Sequence, residues 1–231
     1  MKRDRRAAML ERVAVRWPMK AFANTAGLAA FFVAYFWIQN NPQYEVTNMP
    51  LLALDWWIPH IPLAIVPYAT LWVYVSLPLA LMTRSFEYRS FGVAAAALSV
   101  LGLGCFYFWP TSVPFVAGWS DASATSFLRN VDGSGNACPS LHVAFAVFSW
   151  AWLRWLIAEI GGRAWLHFGN AAWCLAIILS TLAIRQHVIL DVVAGAALGA
   201  AVVALNMAWL RRRSHPLAPP RPSSIPSSAT R

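Results

Sequence analysis

The chain has 231 residues, 59% of them apolar and only 12% charged, about half the charged share of an ordinary soluble domain. Its formal net charge is +9, yet the basic residues gather at the ends of apolar runs and are not interleaved with exposed aromatics, which argues against a nucleic-acid partner and belongs to membrane topology. The three cysteines, Cys105, Cys138 and Cys174, lack any CxxC spacing, so neither a zinc knuckle nor a disulfide framework is indicated.

Residues 1–20 form a basic leader with seven Lys and Arg, read as a solvated cytosolic flank. Six apolar runs follow, at 21–39, 61–82, 91–109, 141–160, 165–184 and 188–210. Each is close to the roughly 20 residues that cross a hydrocarbon core of about 30 Å. Backbone groups in lipid must be satisfied within their own segment, and no run alternates in polarity, so the expected elements are helices and not barrel strands. The first run lacks a small-residue cleavage site and reads as a retained signal anchor. Between the runs, 40–60 holds an interfacial segment around Trp56 and Trp57, and 110–139 is a long polar loop. Residues 211–231 are basic and rich in Pro and Ser, hence expected to be disordered. The expected fold is all-α: one six-helix membrane domain over 21–210, between leader and tail.

With six crossings, sixteen of the eighteen Lys and Arg share one side, and only Arg129 and Arg185 lie on the other. That bias puts both termini in the cytosol of a multi-pass protein, with the cell membrane its expected location.

Ionisable residues inside or beside membrane helices are costly and are functional candidates by default. His142 opens the fourth run, while His187 and Asp191 open the sixth, four residues apart and therefore on one helix face. The charge count, made without them, sets all three at the same non-cytosolic surface. Their chemistry suits phosphoryl transfer. A neutral imidazole attacks phosphorus if its other nitrogen keeps a proton, a carboxylate one turn away holds that proton, and a second imidazole protonates the departing oxygen. Pro139 and Ser140 suit a helix start whose free N–H groups receive a phosphate oxygen, and Arg185 and Arg129 are candidates for added positive charge. Ser140 reads equally well as a helix cap, and Arg185 as a cation reaching for headgroups.

Pro139-Ser140-Leu141-His142 resembles the Pro-Ser-Gly-His motif of the type 2 phosphatidic acid phosphatase superfamily, and Ser180-Thr181, five residues, His187, three residues and Asp191 resemble its Ser-Arg-x5-His-x3-Asp motif. The resemblance implies a six-helix, metal-independent enzyme without cofactor, acting on a membrane lipid phosphate. It implies His187 as the nucleophile that forms a phosphohistidine, Asp191 as its orienting partner and His142 as the general acid. Leu141 and Thr181 stand where the family has glycine and arginine, and the upstream Lys-x6-Arg-Pro motif is absent. In these departures the chain resembles the inositol phosphorylceramide synthase branch, which Asn136-Ala137-Cys138-Pro139-Ser140-Leu141-His142 also fits. Fewer fixed cations suit a singly charged phosphodiester better than a dianionic monoester, so the balance leans toward headgroup transfer.

Other readings compete. A phosphatidic acid or polyprenyl phosphate monoester phosphatase would use the same residues. A non-catalytic lipid-binding or transport protein would not need the trio. A cysteine phosphatase would need arginine six residues after Cys138, where Ala144 stands, and no Gly-x-Ser-x-Gly elbow surrounds Ser140. Two imidazoles and a carboxylate also suit zinc, although no metal is expected here.

Overall fold

The computed structural model describes residues 5–114, 116 and 135–214. A short helix α1 (Arg5–Ala14) leads into α2 (Trp17–Asn40). After it come α3 (Ala53–Trp57), then a 3-10 turn (Pro62–Ala64), α4 (Ile65–Ala69) and α5 (Leu71–Leu81), then α6 (Ser85–Phe108), α7 (Leu141–Glu159), α8 (Ala164–Ala183) and α9 (Ile189–Ser214). Six of these stretches are long and apolar enough to cross a membrane: α2, the run Pro62–Leu81, α6, α7, α8 and α9. They coincide with the six expected runs. Two-residue strands β1 (Thr47–Asn48) and β2 (Thr111–Ser112) pair in parallel and are the exception to an all-helical architecture among the described residues.

The boundaries follow from local chemistry. Arg16 takes the left-handed conformation at φ 53°, which breaks α1 from α2, and Pro18 occupies the first turn of α2, where a missing N–H costs nothing. In the second stretch Thr70 separates α4 from α5, its N–H shared between the carbonyls of Val66 (3.3 Å) and Pro67 (3.2 Å), so the run keeps its direction.

The leader is more than a solvated flank, because it is fastened to the bundle. Lys20 is buried and donates to the carbonyls of Arg12 (2.6 Å) and Ala80 (2.7 Å), and Arg12 donates to Leu81 (3.3 Å). An ammonium this close to lipid needs acceptors, and the open carbonyls at the ends of α1 and α5 supply them.

Helix α7 is the centre of the bundle: 56% of its most apolar window is buried, against 0% for that of α2. Phe148, Trp152 and Leu156 of α7 pack with Leu98 and Phe106 of α6 and with Val202 and Val203 of α9. Helices α7 and α9 approach closely, Gly195 and Gly199 facing the carbonyl groups of Ser140 and Ala144 with no room for a Cβ. This is the close helix contact for which small residues at a four-residue interval are suited. Polar pairs add directionality between helices: the Tyr74 hydroxyl meets Asn170 Oδ1 at 2.6 Å, and Asn206 Nδ2 meets Ser90 Oγ at 2.8 Å.

The two ends differ. At one end basic residues tie the helices together, with Arg16 on Ser85 (3.2 Å) and Arg84 on Glu159 (2.9 Å). At the other, connections knit over the helix starts. Thr47 N donates to Pro110 O (2.9 Å), Ala137 N to Thr111 O (3.0 Å), and Ile61 N to Ala183 O (2.9 Å). His142 and His187 lie at this second end.

Candidate active site

The site is built where α7 and α9 begin side by side. A cis Cys138–Pro139 peptide precedes Ser140, the N-cap of α7, whose Oγ accepts from Val143 N at 3.3 Å. Ser140 N donates to Asp191 O (3.0 Å), so the cap of one helix is bonded to the first turn of the other. Upstream, the Thr111 hydroxyl accepts from Cys138 N at 2.7 Å and fixes the approach to the cap. Burial, reinforced by the nearby Asp191, pushes the Cys138 thiol up to about 11, so it stays protonated at neutral pH and is no nucleophile.

His142 is buried with its ring stacked on Tyr68, at a centroid distance of 4.0 Å and an interplanar angle of 8°. Its Nε2 lies 3.0 Å from the Tyr68 carbonyl, and because a carbonyl only accepts, Nε2 carries a proton. One ring nitrogen is thereby anchored on the backbone.

His187, in the turn before α9, and Asp191, in the first turn of α9, meet with Nδ1 3.5 Å from Oδ2, an ion-pair separation longer than a good hydrogen bond. Asp191 is fully buried, and its Oδ2 also accepts from Val188 N at 3.1 Å. The carboxylate therefore caps the start of α9 and faces the imidazole with the same oxygen.

Arg185 has a different setting from the one expected of a phosphate ligand. It sits at φ 63° in the turn before α9, and its Nη1 donates to Asp55 O (2.7 Å) and its Nη2 to Ile58 O. Burial lowers its pKa, and the Asp55 carboxylate opposes that shift.

A cavity of about 270 Å³ reaches from both histidines into the apolar part of the bundle. Its walls are mainly aromatic: Phe31, Phe32, Tyr35 and Phe36 from α2, Tyr68 and Trp72 from the α4–α5 run, Phe106 from α6 and Phe145 from α7. Asn136 lies at its polar end, with Nδ2 3.4 Å from Gln39 Oε1. Among the described residues no Lys or Arg lines it.

The structure thus brings His142 and His187 to one cavity, sets Asp191 behind His187, makes Ser140 a cap and directs the Arg185 terminal nitrogens to backbone carbonyls. Arg129 lies outside the described residues. Sequence reasoning missed Asp55, Tyr68, Thr111 and the aromatic wall. A carboxylate beside Trp56 and Trp57 was a signal for Asp55. The carbonyl role of Tyr68 has no sequence signal, since any residue supplies a carbonyl. Among the described residues there is no cluster of three or more His, Cys, Asp or Glu arranged to hold a metal ion.

A comparison with curated proteins and one with solved structures found no match. The sequence profile of the PAP2 superfamily matches residues 92–215, more than half of the chain and the stretch from within α6 to the end of α9 that carries the two histidines and Asp191. Members of this superfamily are generally phosphatases, which supports an enzyme acting on phosphate esters. The protein, a helical bundle with six membrane-length apolar stretches, belongs to the PAP2 superfamily.

Proposed function

We propose that the protein is a metal-independent enzyme that cleaves a lipid phosphate ester through a phosphohistidine and passes the phosphoryl-bearing group to an acceptor, in the manner of a headgroup transferase. The observation that carries this reading is the pairing of two buried histidines, one backed by Asp191, on a single apolar cavity.

In the proposed reaction His187 keeps its proton at Nδ1, held toward Asp191, and attacks phosphorus through the Nε2 lone pair. The bond from phosphorus to the leaving oxygen breaks, and that oxygen takes the Nδ1 proton of His142, which enters this step as the imidazolium and leaves it neutral with its Nε2–H still on the Tyr68 carbonyl. An acceptor hydroxyl, or water, then attacks the phosphohistidine, gives its proton to His142 and releases His187. The amides of Leu141 and His142 precede the first intrahelical bond of α7, at Ala144, and are suited to a non-bridging phosphate oxygen. With no cation on the described cavity wall, a singly charged phosphodiester is the better match, which supports transfer over monoester hydrolysis.

The strong Lys and Arg bias, together with the basic contacts at the end away from the site, supports cytosolic termini and a site on the non-cytosolic face of the cell membrane.

The test is a panel of lipid phosphate monoesters and diesters given to the purified protein, with and without diacylglycerol, ceramide or inositol acceptors. A new lipid product is expected, persisting in chelator and suppressed by vanadate. Free phosphate alone would make the protein a monoester phosphatase, and lipid binding without turnover a transporter or scaffold. His187→Ala should lose at least about a thousandfold in turnover. Undiminished turnover in that variant would remove the nucleophile assignment.

A further inference from the structure

Asp55, only 2% exposed, lies at the site end of the bundle and has no part in the chemistry above. Its Oδ2 accepts from Leu52 N (2.8 Å) and closes the first turn of α3. Its Oδ1 accepts from Ile189 N (2.9 Å), the first residue of α9, and its carbonyl accepts from Arg185 Nη1 (2.7 Å). Arg185 also bonds Ile58 O, one residue beyond α3. The α3 segment therefore grips the α8–α9 turn at two points, Arg185 and Ile189, and His187 lies between them. The turn needs such a grip, because Arg185 is a non-glycine residue at φ 63°, a conformation that persists only where the surroundings impose it. Ile61 N on Ala183 O (2.9 Å) adds a third tie at the end of α8.

We propose that Asp55 is a positioning residue for His187. By holding Arg185 on one side and Ile189 on the other, it sets the turn so that the His187 ring keeps its place against Asp191 as the cavity fills. The role asks for a carboxylate, since two N–H groups from distant segments converge on two acceptor oxygens, and an amide offers only one. It also reassigns Arg185, whose terminal nitrogens serve the turn and not the phosphate. The inference rests on His187 being the nucleophile.

Asp55→Asn, Arg185→Gln and the double variant, beside His187→Ala, would be assayed on whichever lipid phosphate the native protein turns over. Folding is followed by thermal melting, and the chemical step by incorporation of labelled phosphoryl group into the protein. The expected outcome for Asp55→Asn is a KM changed by less than about threefold and a kcat lowered roughly 10- to 100-fold, with phosphoenzyme formation slowed equally. Arg185→Gln should behave alike, and the double variant should be no worse than the worse single, because both changes open one latch. A native kcat in Asp55→Asn overturns the proposal. So does a double loss equal to the product of the single losses, and a defect of Arg185→Gln confined to KM would make that residue a phosphate ligand. If Asp55→Asn does not yield folded protein, Arg185→Gln decides, since it leaves the carboxylate bonds to Leu52 and Ile189 in place. Undiminished turnover in His187→Ala removes the nucleophile reading and the latch together. An inactive His187→Ala beside a fully active Asp55→Asn removes the latch alone.

Discussion

At 3.5 Å, Asp191 is a little too far from His187 Nδ1 for a strong hydrogen bond, yet its position behind the ring is fixed by two other commitments. Its Oδ2 accepts from Val188 N and its carbonyl from Ser140 N, so the residue cannot drift without unpicking the start of α9 and the cap of α7. Replacing Asp191 by Asn separates the orienting charge from this scaffolding. The amide oxygen still accepts from Val188, but it no longer stabilises an imidazolium or specifies the tautomer at Nδ1. The expected result is a fall in kcat of roughly a hundredfold or more with nearly unchanged KM and melting temperature. Steady-state kinetics beside thermal melting check it, and a variant as fast as the native protein would show that the carboxylate serves only as a cap.

Between elements, the decisive contact is α9 against α7. Gly195 faces the Ser140 carbonyl and Gly199 that of Ala144, so any side chain here meets backbone that cannot turn aside. Gly195→Leu should push the helices apart at the point where their starts carry His142 and His187, at a stability cost of about 1–3 kcal/mol and with a large loss of turnover. Thermal melting and kinetics on the variant check this, and unaltered values would mean that the two helices slide freely. The Gly-x-x-x-Gly spacing was visible in the sequence, as were the six apolar runs, because lipid as solvent imposes a composition on every spanning segment. The two histidines and Asp191 stood out for the same reason, being ionisable groups at the ends of such segments. Other features had no such mark. In α2, residues that face lipid and residues that face the cavity are equally apolar, so nothing in its periodicity distinguishes Phe31 or Tyr35 as wall residues. Asp55 acts on Arg185 and Ile189 from 130 and 134 positions away, a pairing that only the folded turn creates. For Arg185 the sequence offers a charge and no partners, and its bonds to the Asp55 and Ile58 carbonyls likewise arise only in the folded turn.

For the molecule as a whole, the charge asymmetry makes a prediction about sidedness. Asn41 is exposed at the site end and Arg163 at the opposite end. With Cys105, the exposed native cysteine, replaced by Ala, Asn41→Cys should react with a membrane-impermeant maleimide on intact cells, whereas Arg163→Cys should react only after permeabilisation. The opposite pattern would invert the proposed orientation and put the chemistry at the cytosolic face.

The bundle also separates two jobs that many enzymes mix. His142 and Asp191 ride on α7 and α9 and His187 on the turn before α9, all locked by glycines and backbone bonds, while much of the cavity wall is lent by α2, a peripheral helix with none of its most apolar window buried. Changes on that one helix face can therefore reshape what enters the cavity without disturbing the reacting groups. On the proposed function, lineages descended from such a protein, or a laboratory selection begun from it, have a route to new lipids through Phe31, Phe32, Tyr35 and Phe36 while the proposed histidine chemistry is inherited intact.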